Sequence, residues 1–214
     1  MRSRWIRASL TRSLRDELRS ATRSHHDAIE RVINLMRPDI VMAEYVQYLC
    51  TVYGYHSILE PRLIEGDAKF FNGALTLSRR RKVAWLERDL KNLVGSACVE
   101  NVPVCVRLPP TDTAPGVMGC AYVIEGSMLG ALVIYGHMHK CLAITSDNGA
   151  AFIYGYGERT SFQWKKFLRA LDETAFSARQ RDECIEAAAA TFETMQAWFV
   201  ERADAVNVNA SMSH

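Results

Sequence analysis

One apolar stretch, from Pro115 to His137, has the composition of a single long helix but carries five glycines, which are Gly116, Gly119, Gly126, Gly130 and Gly136. Each glycine inside a helix costs about 1 kcal/mol relative to alanine. A chain that accepts this cost repeatedly usually gains a close approach of its backbone to another surface. The stretch is therefore expected either to pack tightly against a neighbouring helix or to lie against a ligand.

Two of these glycines, Gly126 and Gly130, are four residues apart and so share one face of the helix. Ser127 lies beside them, and together the three residues make a flat, narrow strip without a bulky side chain. A flat ligand fits such a strip. Tight packing between helices is the alternative explanation.

The remaining periodicity predicts an all-α protein, built as one irregular helical bundle. Apolar spacing predicts helices over 13–36, 42–60, 75–94 and 178–200, with a segment at 152–171 that becomes helical at Trp164. Pro38 and Pro61 are expected to end the helices that precede them. In a chain of 214 residues, this predicts a single domain over 13–203, after a basic lead-in at 1–12 and before a flexible tail at 204–214.

Charge and cysteine content narrow the possible functions. A net charge of +2 gives no support for a nucleic-acid-binding protein. The basic run Arg79–Lys82 is expected to be a solvated face, with a docking surface for an acidic protein as the alternative. Six scattered cysteines without CxxC spacing predict reduced thiols in a cytoplasmic protein.

No membrane span is expected. Glu125 interrupts the glycine-rich stretch, and no run reaches about 18 uninterrupted apolar residues. The N-terminus also lacks the apolar centre of a signal peptide.

The first predicted helix carries a pair that suits metal binding. His26 and Glu30 are four residues apart on one face. A histidine that binds a metal usually donates its other ring N–H to a carboxylate or carbonyl, so Glu30 is placed to orient His26. Arg19 and Arg23 precede them on a nearby face and are available to acidic groups of a ligand. An ordinary surface pair of histidine and glutamate is the alternative.

The two features together suggest a specific ligand. One helix offers a histidine nitrogen, and the other offers a glycine strip with no side chain to bind a metal from the opposite side. A planar metal macrocycle between them would keep one open position, which suits the binding and activation of O₂. The remaining histidines do not form a cluster, since His137 and His139 point apart on a helix and His56 is expected in the core or at its boundary.

Three segments in this order resemble the heme oxygenase family, and most closely the bacterial type associated with bacteriophytochromes. The pattern Leu18-Arg-x-Ala-Thr-x-x-x-His26-x-x-x-Glu30 resembles the segment that carries the iron ligand. Tyr122–Gly130 resembles the distal helix, and Phe152–Gly157 resembles the segment that follows it. The resemblance implies a heme oxygenase-type bundle in which haem is sandwiched between a proximal helix and a glycine-rich distal helix.

The resemblance also implies roles for individual residues. His26 is the axial ligand of the iron, Glu30 is its hydrogen-bonding partner, and Arg19 binds a haem propionate. Gly126 and Gly130 lie against the distal face of the haem.

Other positions follow from the resemblance less directly. Phe152 is expected to contact the haem. Ser127 stands where many family members carry an Asp that organises distal water, so proton delivery through Ser127 and ordered waters is expected. Lys165, Lys166 and Arg169 are candidates for a second basic contact.

The implied activity is the cleavage of haem to biliverdin, Fe²⁺ and CO, with O₂ and electrons from a reduced ferredoxin, a flavodoxin-type protein or another reductase. The product then supplies a bacteriophytochrome, or the reaction serves iron release. Two alternatives remain open from the residues. One is a haem-binding or storage protein without turnover, and the other is a cofactor-free or non-haem relative on the same bundle.

Overall fold

Eight α-helices and two short 3-10 turns make up the secondary structure of residues 12–212, the part of the chain that this computed structural model describes; that part contains no strand. The all-α class is therefore confirmed. The helices are α1 Leu14–Ile33, α2 Met42–Phe71, α3 Lys82–Val94, α4 Ser96–Glu100, α5 Ala114–Leu142, α6 Ala151–Tyr154, α7 Thr160–Glu173 and α8 Ala178–Met212.

The ends of the chain were predicted to be a basic lead-in and a flexible tail. Residues 1–11 lie outside the described part, and so do the last two residues. Helix α8 continues past its predicted end at Val200 as far as Met212. The division into lead-in, domain and tail stays a prediction.

Helix α1 has defined signals at both ends. Its N-cap, Ser13, accepts a hydrogen bond from the backbone N–H of Asp16 at 3.1 Å, and Asp16 and Glu17 place negative charge in the first turn. At the other end Asn34 adopts the left-handed conformation with φ of 40° and donates its N–H to the carbonyl of Glu30. These caps hold the helix that carries His26.

Helix α2 runs through Pro61, so the predicted end at that proline is wrong. A proline inside a helix removes one backbone hydrogen bond and costs about 3 kcal/mol. Burial of the apolar Leu63 after it offsets part of this cost, and the buried Asp67 is stabilised by hydrogen bonds. The Asp67 carboxylate accepts the backbone N–H groups of Leu75 and Leu77 at 3.0 and 2.9 Å.

The glycine-rich stretch forms the central helix α5, which packs on α8 and also contacts α2 and α7. A Cβ atom at Gly119 would lie 2.2 Å from the carbonyl oxygen of Cys184 on α8. One at Gly116 would lie 2.8 Å from the carbonyl oxygen of Pro110. For these two glycines, close packing is the reason for the missing side chain.

By length and composition alone, α5 could cross a membrane, since its most apolar window has a mean hydropathy of 1.8. However, 56% of that window is buried inside the bundle. Its Glu125 carboxylate is also enclosed by other helices. These are the properties of the core helix of a globular fold.

Candidate functional site

A cleft of about 710 Å³ lies between α1, the loop after it and α5. Glu30 and Ile33 line it from α1, Met36 lines it from the loop, and Gly130 and Val133 line it from α5. Its volume is within the range of about 300–1,000 Å³ that is typical of small-molecule sites. The cleft therefore brings together the two helices that the sequence predicted to face a ligand.

His26 and Glu30 are neighbours on the exposed side of α1. The Nδ1 atom of His26 lies 3.6 Å from the Oε1 atom of Glu30, and the His26 side chain is 53% exposed. At this distance a water molecule can bridge the two side chains, because a direct hydrogen bond is shorter. Since Nδ1 faces Glu30, the other ring nitrogen, Nε2, is the one available to a metal.

The adjacent histidine, His25, is directed differently. Its ring stacks on Phe192 of α8 with an angle of 15° between the planes, and its Nδ1 atom lies 3.9 Å from Glu193. His26 meets the same Phe192 only edge-on, at 6.0 Å between ring centroids. His25 is thus engaged with α8. His26 is not among the residues that line the cleft, but it stands beside two that do, Asp27 and Glu30.

The predicted glycine strip divides into an open part and a covered part. A Cβ atom at Gly130 would meet no atom of residues 12–205 within 4 Å, whereas one at Gly126 would lie 3.5 Å from the Cη2 atom of Trp164 on α7. Gly130 therefore faces the cleft, whereas Gly126 faces the indole of Trp164, and neither Gly126 nor Trp164 is among the residues that line the cleft. Ser127 is exposed between them, and its hydroxyl donates to the carbonyl of Ile124 at 2.9 Å.

Arg19 is exposed on α1 and lies near Tyr122 of α5. Burial raises the pKa of the Tyr122 hydroxyl, while the positive charges of Arg15 and Arg19 oppose the increase. Tyr122 is one helical turn before Gly126, so Arg19 lies toward that end of the glycine strip and is not among the residues that line the cleft.

Phe152 lies in the core, where it is 5% exposed, and is also not among the cleft-lining residues. Its backbone N–H donates to Asp89 at 2.7 Å, and its ring meets His56 edge-on at 5.8 Å. Its predicted contact with haem stays a prediction. On α7, Lys165 and Lys166 are exposed, and Arg169 pairs on the surface with Glu173.

A buried charge cluster adjoins the strip on α5, and sequence reasoning missed it. The run Arg79–Lys82 was expected to be solvated, but only Arg79 and Arg81 are exposed; Arg80 and Lys82 are 3% and 2% exposed. Both cations contact the carboxylate of Glu125. A lone carboxylate in an apolar helix was the available signal, because a buried charge needs partners.

Burial and the neighbouring charges set the protonation states of Glu125 and of the nearby His56. Burial alone would raise the pKa of Glu125, but the adjacent Lys82 and Arg80 outweigh burial and lower it. Burial, with a smaller contribution from Lys82, lowers the pKa of His56 to about 3. At neutral pH, Glu125 is therefore ionised and His56 is neutral.

Comparison with known proteins assigns the chain to a family. The family model described as heme oxygenase matches residues 12–201, which include both α1 and α5. The chain belongs to the heme oxygenase family. As a heme oxygenase, it is an enzyme that takes haem as its substrate and degrades it, which favours the enzyme over the non-catalytic and non-haem alternatives.

Solved structures show the same fold. The heme oxygenase from Neisseria meningitidis, described in its NO- and CO-bound forms, has a TM-score of 0.76 and 20% identity over 90% of this chain and 92% of that one. Heme oxygenase-1 from the cyanobacterium Synechocystis, in complex with heme, has a TM-score of 0.71 and 15% identity over 94% and 99%. The Leptospira interrogans heme oxygenase has a TM-score of 0.67 and 16% identity over 89% and 100%. No curated protein matches the chain by sequence.

Proposed function

We propose that this heme oxygenase binds haem in the cleft between α1 and α5, with His26 as the axial ligand, and releases biliverdin, Fe²⁺ and CO. The observation that carries the proposal is the open surface at Gly130. Gly119 lacks a side chain because α8 approaches it, but in the part of the chain that the structure describes, no atom lies within 4 Å of a Cβ position at Gly130. A ligand in the cleft would explain the glycine there.

His26 and Glu30 on α1 fit a histidine-bound iron, with Glu30 in the wall of the cleft and His26 beside it. His26 would bind the metal through Nε2, and Glu30 would fix the orientation of the ring through the Nδ1 side, where it already lies 3.6 Å away. Arg19 and Arg23 would pair with the propionates. Phe152 stays a predicted haem contact on the basis of the resemblance.

The residues on the α5 wall would act on the opposite side of the ligand. The bound haem supplies the iron at which O₂ is activated, and the protein supplies orientation and hydrogen bonds. Gly130 leaves room for a small diatomic ligand, and Trp164 lies against the helix at Gly126. Ser127 is the exposed hydroxyl on this turn, so we assign proton delivery to it and to ordered water.

The electron donor would be a reduced ferredoxin, a flavodoxin-type protein or another reductase in the cytoplasm. The exposed cations Lys165 and Lys166 on α7 offer charge complementarity to an acidic donor. We further propose that the biliverdin supplies a bacteriophytochrome, in line with the bacterial type that the sequence resembles.

The test is a haem titration of the purified chain, followed by addition of ascorbate or reduced ferredoxin in air. Growth of the Soret band during titration, followed by its loss and the growth of a bilin band, is the expected result. Chromatography against biliverdin standards identifies the product. A Soret band that persists under these conditions would instead indicate haem storage, and a failure to bind haem would contradict the proposed site.

A further inference from the structure

The carboxylate of Glu125 is held by three side chains on the inner side of α5. Its Oε1 atom accepts a hydrogen bond from Lys82 Nζ at 2.5 Å. Its Oε2 atom accepts from Arg80 Nη1 at 2.7 Å and from the hydroxyl of Tyr156 at 3.1 Å. Since each oxygen has different partners, the carboxylate is fixed in both position and orientation.

These partners connect α5 to four other parts of the fold. Arg80 and Lys82 stand at the entry to α3, and Tyr156 lies in the segment between α6 and α7. Arg80 Nη1 also donates to the carbonyl of Gln163 on α7 at 3.3 Å, and the Lys82 backbone N–H donates to Glu60 of α2 at 2.5 Å. The cluster thus joins α5 to these four parts. Glu125 is its member on α5, and it immediately precedes Gly126.

On the side of α5 opposite Glu125, few contacts fix the position of this helical turn. On that side Ser127 is exposed, and a Cβ atom at Gly130 would meet nothing within 4 Å among the described residues. A helix segment with small or exposed residues on its outer face can rotate or shift unless the inner face fixes it. Here the inner face is fixed by hydrogen-bonded charges, which have strict directional requirements.

We propose that Glu125 is a positioning residue for haem cleavage: with Arg80 and Lys82 it fixes the rotation and height of α5 at Gly126 and Ser127, and so selects a single product isomer. The inference rests on the proposed function, because it needs α5 to be the wall opposite His26. A shifted wall would expose a second edge of the macrocycle to reaction.

The main test uses a charge-balanced double variant, Lys82→Met with Glu125→Gln, which removes one buried charge of each sign. Haem affinity should stay within about tenfold of the wild type, because burial of the macrocycle supplies most of it. The bilin products should include a second isomer at roughly a tenth or more of the total. This fraction corresponds to a difference of about 1.4 kcal/mol or less between the activation free energies of the two cleavage reactions. In the ferrous CO complex, the C–O stretching band should broaden or split.

A second variant covers the case in which the double variant does not fold. Tyr156→Phe removes only the hydroxyl that donates a hydrogen bond to Glu125. It keeps the aromatic ring against Trp85, at 5.3 Å between ring centroids. The same changes in isomer ratio and CO band are expected, at smaller size.

The matched control is Asp67→Asn, which also converts a buried carboxylate to an amide. Asp67 holds the backbone N–H groups of Leu75 and Leu77, and none of these residues lies on α5. It should lower the melting temperature but leave a single isomer and a single CO band.

Two results would overturn the inference. One is a wild-type isomer and CO band in both cluster variants, and the other is an equal change in the Asp67→Asn control. Either would make the cluster a purely structural element. Failure of the wild-type protein to bind or cleave haem is a separate outcome, and would contradict the proposed function instead.

Discussion

Glu30 on α1 and Gly130 on α5 line the same cleft from opposite walls. Both helices pack on α8: the ring of Phe192 meets His26, and the carbonyl of Cys184 lies against Gly119. Helix α8 therefore sets the separation of the walls. Close packing at Gly119 fixes the position of α5 against α8. The surface at Gly130 stays open and forms part of the cleft wall.

His26→Ala removes the proposed iron ligand. Since the cleft still buries the macrocycle, haem should bind more weakly rather than not at all, and turnover should stop. Absorbance titration and a turnover assay measure the two effects, and added imidazole should partly restore the spectrum.

His25→Ala is the control for this change. His25 is directed to Glu193 and stacks on Phe192, so its loss should leave the haem spectrum unchanged. A defective His25→Ala variant beside a normal His26→Ala variant would show that the neighbouring histidine binds the iron.

Gly130→Leu should fill the wall of the cleft. The substitution favours helix formation by up to about 1 kcal/mol, and no atom obstructs the new side chain at its base. The variant should therefore be at least as stable as the wild type but lose turnover. Thermal unfolding and the bilin assay together measure this separation of stability from activity.

Gly136→Leu is the matched control, because this glycine also has no atom within 4 Å of a Cβ position but does not line the cleft. Turnover should persist in it. By contrast, Gly119→Ala should destabilise the fold, because its Cβ atom would lie 2.2 Å from a backbone oxygen of α8. Normal turnover in Gly130→Leu would show that the glycine strip serves helix packing and does not contact the ligand.

The candidate site could be proposed from the sequence because its signals are local. The i,i+4 spacing of His26 with Glu30 and of Gly126 with Gly130 defines a face on each helix without knowledge of the fold. The spacing cannot show what covers each face, however. The structure shows that Trp164 covers Gly126, while Gly130 is open.

The features that were missed depend on distant parts of the chain. Arg80 and Lys82 look solvated in a basic run, and only the fold brings Glu125 to them. The helix end predicted at Pro61 was wrong for a similar reason, since burial of Leu63 and the hydrogen bonds of Asp67 outweigh the local cost of the proline. Tertiary packing decides such cases.

Arg19→Glu should change the product more than the affinity. An exposed ion pair is typically worth only about 0–1 kcal/mol, so a lost propionate contact hardly weakens binding. A haem that rotates in the cleft would nevertheless present a different edge for cleavage. Analysis of the bilin isomers tests this, and an unchanged isomer with unchanged affinity would leave Arg23, Lys165 and Arg169 as the candidate anchors.

His56 should make stability depend on pH. Burial lowers its pKa to about 3 in the folded chain, whereas an unfolded histidine titrates near about 6.5. Between these values the unfolded chain binds a proton that the folded chain does not. The free energy of unfolding should therefore fall as the pH drops below about 6.5, by up to about 1.4 kcal/mol per pH unit.

The wild-type curve alone does not isolate this effect. Burial raises the pKa of Asp89 to about 6, so the folded chain holds an extra proton there between about pH 4 and 6, which acts in the opposite direction. His56→Leu provides the comparison, since Leu59, Leu63 and Ile124 surround the same small cavity. Urea unfolding at pH 5 and pH 7 should show a larger loss of stability at pH 5 in the wild type than in the variant. Equal losses would mean that His56 is protonated in the folded protein or that its environment is wetter than its burial indicates.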